Sequence, residues 1–174
     1  MRGRREGFCA ATRSFYGGGM SAKEYKGISG GFGSYSQRGG RAGMVRLRLA
    51  GGVLDRERLD FIVDCIDRHG IGRVHMTACQ SLQLHDLDAE AVCAIVGEAP
   101  AHGIDTFGGG GDHPRNVMAS PLSGVDPEGC FDVLPYAVAT ERYVLSLAGS
   151  IDLPRKLKIA FAASPANDVH ATFR

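Results

Sequence analysis

The chain has 174 residues, 44% of them hydrophobic, and its 20 basic and 19 acidic residues leave a formal charge of +1. That is enough apolar material for one good core, or for one core and an incomplete second, while no stretch reaches the length of a membrane span. The five cysteines, Cys9, Cys65, Cys79, Cys93 and Cys130, form no C-x-x-C pair and read as free thiols of a reducing, cytoplasmic compartment.

Residues 1–24 are basic, glycine-bearing and without periodicity, so disorder is expected there. Arg4-Arg5 is followed by no apolar stretch, which argues against an export signal. Only four arginines and no patterned aromatics argue against a nucleic-acid arm. Met20-Ser21-Ala22-Lys23, just after Gly17-Gly18-Gly19, reads as a second start of translation. A glycine-rich loop from Gly27 to Gly40 then carries Tyr35, Gln37 and Arg38.

Gly43 to Ala50 has a strand's period of two: Val45, Leu47 and Leu49 face one side, Arg46 and Arg48 the other. A helix is predicted from Asp55, as N-cap, to His69, with Leu59, Ile62, Val63 and Ile66 as its apolar stripe and Gly70 as its stop. Residues 72–86 read as one strand, polar at His75, Thr77, Cys79, Gln83 and His85 and apolar at Met76, Ala78, Leu82 and Leu84. A second helix, Asp88 to Glu98, points Val92, Ile95 and Val96 inward, and a short strand is expected near 104–107. Cys65 and Cys93 fall on buried helix faces.

Four glycines, Gly108 to Gly111, run into Arg115, which stands between Pro114 and Asn116. Glycine lets backbone come close to a ligand, and a guanidinium offers five donors in a rigid fork suited to oxyanions. The same segment also fits a surface turn cluster. A helix near 132–147 precedes a last strand, 153–161, with Lys156 and Lys158 opposite Leu157, Ile159 and Phe161. Half-solvated antiparallel strands alternate in this way without any function. The two cation-bearing faces nevertheless hold no acidic residue in a nearly neutral chain, which points to an anionic ligand.

These residues resemble the siroheme-containing nitrite and sulfite reductases over roughly 25–174. The likeness rests on Val45 to Val53, His75 to His85, Asp112-His113-Pro114-Arg115-Asn116-Val117, Leu153 to Lys158 and Pro165-Ala166-Asn167-Asp168, in the family's order. It implies an α+β fold, in which a ferredoxin-like half domain (β-α-β-α-β, 25–107) leads into an incomplete α/β siroheme-binding domain with a 4Fe-4S cluster (108–174). It further implies reduction of nitrite to ammonia or sulfite to sulfide. Arg46, Arg115, Lys156 and Lys158 match the family's substrate-side cations, the lysines doubling as proton donors. Arg48, His75, Thr77, Gln83, His85 and Asn116 match positions contacting the siroheme or its carboxylates. The implied partners are a small oxyanion and an electron donor such as ferredoxin or a reductase subunit, with neither nucleic acid nor membrane involved.

Departures from the family are specific. Cys79 stands where many members have arginine, and the scattered cysteines supply no cluster ligands, so the chain is expected to be the inactive amino-terminal part of a reductase. Two other readings stay open at this point. One is a small ferredoxin-like regulatory module binding an anion or amino acid; the other is a zinc site from His75, Cys79, His85 and His113.

Overall fold

The computed structural model describes residues 2–40, 42–148, 150, 153–167 and 169. Its centre is a four-stranded antiparallel sheet built from β1 (Ser34–Ser36), β2 (Gly43–Leu47), β3 (Val74–Met76) and β4 (Leu82–Leu87), in the order β1-β2-β4-β3. The period-two expectation for β2 holds on its apolar side: Val45, Leu47 and Leu49 are buried. On the polar side Arg46 lies opposite Gln83, which lies opposite His75, so these three share one face across adjacent strands.

Helices α3 (Arg56–His69) and α4 (Ala89–Glu98) cover the apolar face. Both begin as expected, the carboxylates of Asp55 and Asp88 accepting from the backbone N–H groups of Arg58 (3.0 Å) and Ala91 (2.7 Å). Gly70 ends α3 at φ 59°, and Val92, Ile95 and Val96 point inward from α4. The stripe predicted for α3 is rotated, however. Phe61, Ile62 and Cys65 are buried while Leu59 and Val63 are exposed, because Phe61 turns inward and stacks on His102 at 4.5 Å.

Disorder was the wrong expectation for the first residues. Arg2–Tyr16 form helix α1, and Ala22–Ser29 form α2, capped reciprocally by Ser21 and Glu24. The apolar positions of α1 fall three and four apart, and Phe8, Ala11 and Thr12 are buried. Phe8 stacks on Phe32 (4.6 Å) and Phe15 on Tyr25 (4.4 Å), while Arg13 makes a forked pair with Glu90 of α4 at 2.7 Å.

The strand expected over 72–86 is a hairpin. Thr77 N–H donates to Ser81 O (2.8 Å), Gln80 N–H donates to Thr77 O (2.9 Å), and Gln80 takes φ 54°. The turn holds neither glycine nor proline, so nothing local announced it. It leaves Met76 and Ala78 exposed, unlike Leu82 and Leu84. Near 104–107 the expected strand reduces to a single bridge between Asp105 and Arg48.

A second, smaller buried cluster gathers Val117, Ala119, Val133, Ala137, Val144 and Ala163 around α5 (Leu134–Leu147). Beside it β5 (Met118–Ala119) pairs in parallel with β6 (Ala160–Phe161). The expected lysine strand is thus ladder-paired only at its end, although Arg115 N–H already donates to Leu157 O at 2.8 Å.

Arg48 joins the two parts. Its side chain does not share the solvent face with Arg46, as alternation implied, but is buried: Nε donates to Glu141 Oε1 (2.6 Å), Nη1 to Pro114 O (2.7 Å) and Nη2 to Arg115 O (3.0 Å). Glu141 in turn accepts from Val117 N–H at 2.9 Å. Alternation gives the face a side chain takes but not what covers that face, and here Glu141 of α5 and the backbone at Pro114 and Arg115 close over Arg48.

Two outcomes follow from this packing. Phe8→Ala should lower unfolding free energy by about 3–5 kcal/mol in urea titrations; a loss under about 1 kcal/mol would mean that α1 does not rest on the body. Glu141→Ala, which strands a buried guanidinium, should cost about 3–5 kcal/mol, whereas the double change Arg48→Met with Glu141→Leu should recover most of it.

Candidate anion-binding site

A cleft of about 320 Å³ opens between the polar face of the sheet and the arginine loop. Arg46, Arg115, Lys156 and Lys158 all line it, having come from β2, the loop before β5 and the segment before β6. Tyr35, Thr77, Cys79, Gly109 and Asn116 complete much of the wall, and among the described residues no acidic side chain lines it.

Neutral acceptors hold the guanidinium groups in place. Arg46 Nη1 donates to Gly109 O at 2.8 Å. The Gln83 amide, oriented to satisfy its neighbours, accepts from Arg46 Nη2 and Nε at 2.6 and 3.1 Å and donates to His85 Nε2 at 3.3 Å. Burial, with Arg115 as a like charge nearby, pulls the Arg46 pKa below its ordinary value. Arg115 Nη2 donates to Gly111 O at 2.8 Å, while its Nη1 is buried and has no partner among the described residues.

The glycine run serves backbone packing as well as access. Gly108 N–H donates to Gly31 O (2.7 Å), and Gly111 N–H donates to Tyr35 Oη (2.9 Å), so two glycine loops lie against each other. A Cβ on Gly109 would come within 2.8 Å of Thr106 O, and one on Gly110 would collide with Tyr35 Oη.

The other sequence-predicted residues divide. Thr77 lines the cleft and its hydroxyl accepts from Ser81 N–H at 3.1 Å. Asn116 lines it too, but its Nδ2 is committed to Leu49 O (2.9 Å) and Cys79 O (2.9 Å), with Gln80 O at 3.2 Å, and its Oδ1 is buried and without a partner among the described residues. Gln83 reaches the cleft through Arg46. His75 is exposed on β3, and His85 contacts Gln37 and Gln83; neither lines the cleft, and Arg48 lies behind it. Lys156 is exposed and Lys158 half-buried. Burial, reinforced by Arg115 and Arg48, pushes the His113 pKa down. The proposed zinc ligands are not brought together: among the described residues no group of three or more His, Cys, Asp or Glu could hold a metal ion.

Sequence reasoning missed Gln80. Its side-chain amide pairs with the backbone of Ala119, donating to the carbonyl (2.7 Å) and accepting from the N–H (3.0 Å), and so fixes the hairpin turn beside β5. Tyr35, singled out without a role, forms part of the cleft wall and caps the glycine loop.

Comparison with known proteins follows this division of the chain. Residues 35–101 match the nitrite/sulfite reductase ferredoxin-like half domain, and residues 110–174 match the nitrite and sulphite reductase 4Fe-4S domain. Ferredoxin–nitrite reductase of Synechococcus elongatus is 31% identical over 134 residues, covering 74% of this chain and 26% of that protein. The sulfite reductase [NADPH] hemoprotein beta-component of Acidithiobacillus ferrooxidans is 32% identical over 147 residues, covering 72% and 26%. The solved structure of the Mycobacterium tuberculosis NirA protein superposes with a TM-score of 0.72 at 24% identity, over 84% of this chain and 30% of that one. The chain spans about a quarter of the length of these curated relatives. Among the described residues, no helix is long and apolar enough to cross a membrane. With both domain matches in register with the two buried clusters, the chain belongs to the nitrite and sulfite reductase family.

Proposed function

We propose that this chain forms the anion-binding wall of a site at which a siroheme-containing oxidoreductase reduces nitrite or sulfite, with Arg46, Arg115, Lys156 and Lys158 meeting the substrate. The observation that carries the reading is their convergence on one cleft to which, among the described residues, no carboxylate contributes. Charges so placed attract a small oxyanion most strongly where water is excluded.

The residues present fit the cofactor. Among the described residues Arg115 Nη1 is a buried donor without an acceptor, as a carboxylate-bearing macrocycle or an oxyanion requires. Siroheme, coupled to a 4Fe-4S cluster, would supply the iron and the electrons. The chain's own part is to hold and orient the anion with the two guanidinium groups, whose positions are fixed by Gly109 O, Gly111 O and Gln83. The ammonium groups of Lys156 and Lys158, less enclosed, deliver protons to the bound anion and recover them from solvent.

Two further elements belong to the same proposal. Cys9 and Cys93 sit on helices, Cys65 on α3, Cys79 in the hairpin turn and Cys130 in a loop, so the cluster's thiolates come from elsewhere and the isolated chain does not turn over. The electron donor is a ferredoxin or a reductase subunit, in keeping with the ferredoxin-dependent relatives.

A chimera tests this. With the present chain replacing the matching quarter of the Synechococcus enzyme, the cofactor-loaded protein should reduce nitrite or sulfite, and Arg115→Ala or Lys158→Ala should each lower kcat/KM by about a hundredfold. Retention of full kcat/KM by both variants would refute the assignment. The isolated chain, supplied with a reduced viologen, should reduce neither anion.

A further inference from the structure

Helices α1 and α4 pack antiparallel, and two contacts fix their register. Arg5 Nη1 donates to Gly97 O at 3.2 Å, and Arg13 pairs with Glu90. The contacts stand eight residues apart on α1 (5 to 13) and seven apart on α4 (90 to 97), so the midpoint of one helix faces the midpoint of the other. Those midpoints are Cys9 and Cys93, both free thiols, Cys9 half-buried and Cys93 9% exposed. Positions 5, 9 and 13 share one face of α1, and 90, 93 and 97 share one face of α4, so the two thiols stand on the faces that meet.

We propose that Cys9 and Cys93 are a dithiol–disulfide pair through which oxidation clamps α1 to α4. The oxidant is a small-molecule disulfide of the glutathione type. The Cys9 thiolate attacks one sulfur of that disulfide, which releases one small thiol and leaves a mixed disulfide on Cys9. Cys93, giving its proton to solvent, attacks the Cys9 sulfur and expels the second small thiol. Two protein thiols thereby lose two electrons and two protons, and one disulfide is reduced to two thiols.

The surroundings assign the order of events. Cys9 is the more accessible of the two residues and reacts first, as the nucleophile. Burial above all, then the neighbouring Cys9 thiol, pushes the Cys93 thiol up to about 12, with the Arg13 guanidinium pulling the other way. Closure is therefore the slow step and quickens as pH rises. The pair also reaches the cleft by contact: α1 carries Phe8, which stacks on Phe32, beside the glycine loop whose Gly31 O accepts from Gly108 N–H. Oxidation fixes the helix on which that loop rests.

The test uses the full chain in mixtures of reduced and oxidised glutathione, followed by cleavage after glutamate without reductant. Cleavage leaves Cys9 in residues 7–24 and Cys93 in residues 91–98, each the only cysteine of its peptide. The expected product is these two peptides joined, lighter than their sum by two hydrogens. It should form faster at pH 9 than at pH 7 and be accompanied by a Tm rise of roughly 5 °C that dithiothreitol reverses. Cys9→Ser should abolish both changes. The proposal is overturned if Cys9 stops at the glutathione adduct, if Cys93 links to another cysteine, or if the joined form melts no higher than the reduced one. The peptide map of the unsubstituted chain decides the matter even where a serine variant fails to fold.

Discussion

The buried pair Arg48–Glu141 is the constraint on which the site depends. It lies where the sheet's core meets the smaller cluster around α5, and it does not simply neutralise a charge. Arg48 spends its remaining donors on Pro114 O and Arg115 O, and Glu141 accepts from Val117 N–H, so one ion pair grips the chain on both sides of Asn116. Two desolvated charges are costly unless every lone pair and proton finds a partner. Here the partners are backbone groups of the arginine loop, and satisfying the pair therefore dictates where Arg115 begins.

The loop is confined from its other sides by contacts that only small or amide-bearing residues allow. Gly33 and Gly109 approach so closely that a Cβ on Gly33, at φ 70°, would fall 2.5 Å from Thr106 O. Asn116 Nδ2 ties the loop to Leu49 and to the hairpin turn, and the Gln80 amide ties that turn to β5. Two side-chain amides thus replace the ladder hydrogen bonds that a continuous sheet would have supplied between the two clusters.

How much of this was legible in sequence depends on the range of the interaction involved. Val45, Leu47 and Leu49 declare their face through a period of two, and Asp55, Gly70 and Asp88 declare helix ends through local chemistry. The four cations were grouped by family resemblance; no spacing rule joins Arg46 to Lys158, yet the structure puts them on one cleft. Arg48 was misassigned because alternation gives a face but not its cover, which comes from Glu141, Pro114 and Arg115, 66 to 93 residues away. The hairpin at Thr77–Ser81 was hidden by the absence of glycine and proline, and the roles of Gln80 and Asn116 were hidden because their partners are backbone atoms 36 to 67 residues away. In α1 the charges obscured a short stripe, Phe8, Ala11, Thr12 and Phe15, whose partners Phe32 and Tyr25 lie outside the helix.

The choice of partners also explains how a nearly neutral chain keeps a positive cleft. Carboxylates are spent elsewhere: Glu90 on Arg13, Glu98 on Arg68, Asp60 on Arg56 and Glu141 on Arg48. Arg46 and Arg115 are instead positioned by carbonyls and an amide, which fix a guanidinium through hydrogen bonds without cancelling its charge. Placing two such cations near each other, partly desolvated, works against stability, and the depressed pKa of Arg46 records that tension. An anion between them would relieve the repulsion and supply the acceptor that Arg115 Nη1 lacks among the described residues. The charge gathered in the cleft is thus of the sign that attracts an anion rather than a cation of the same size.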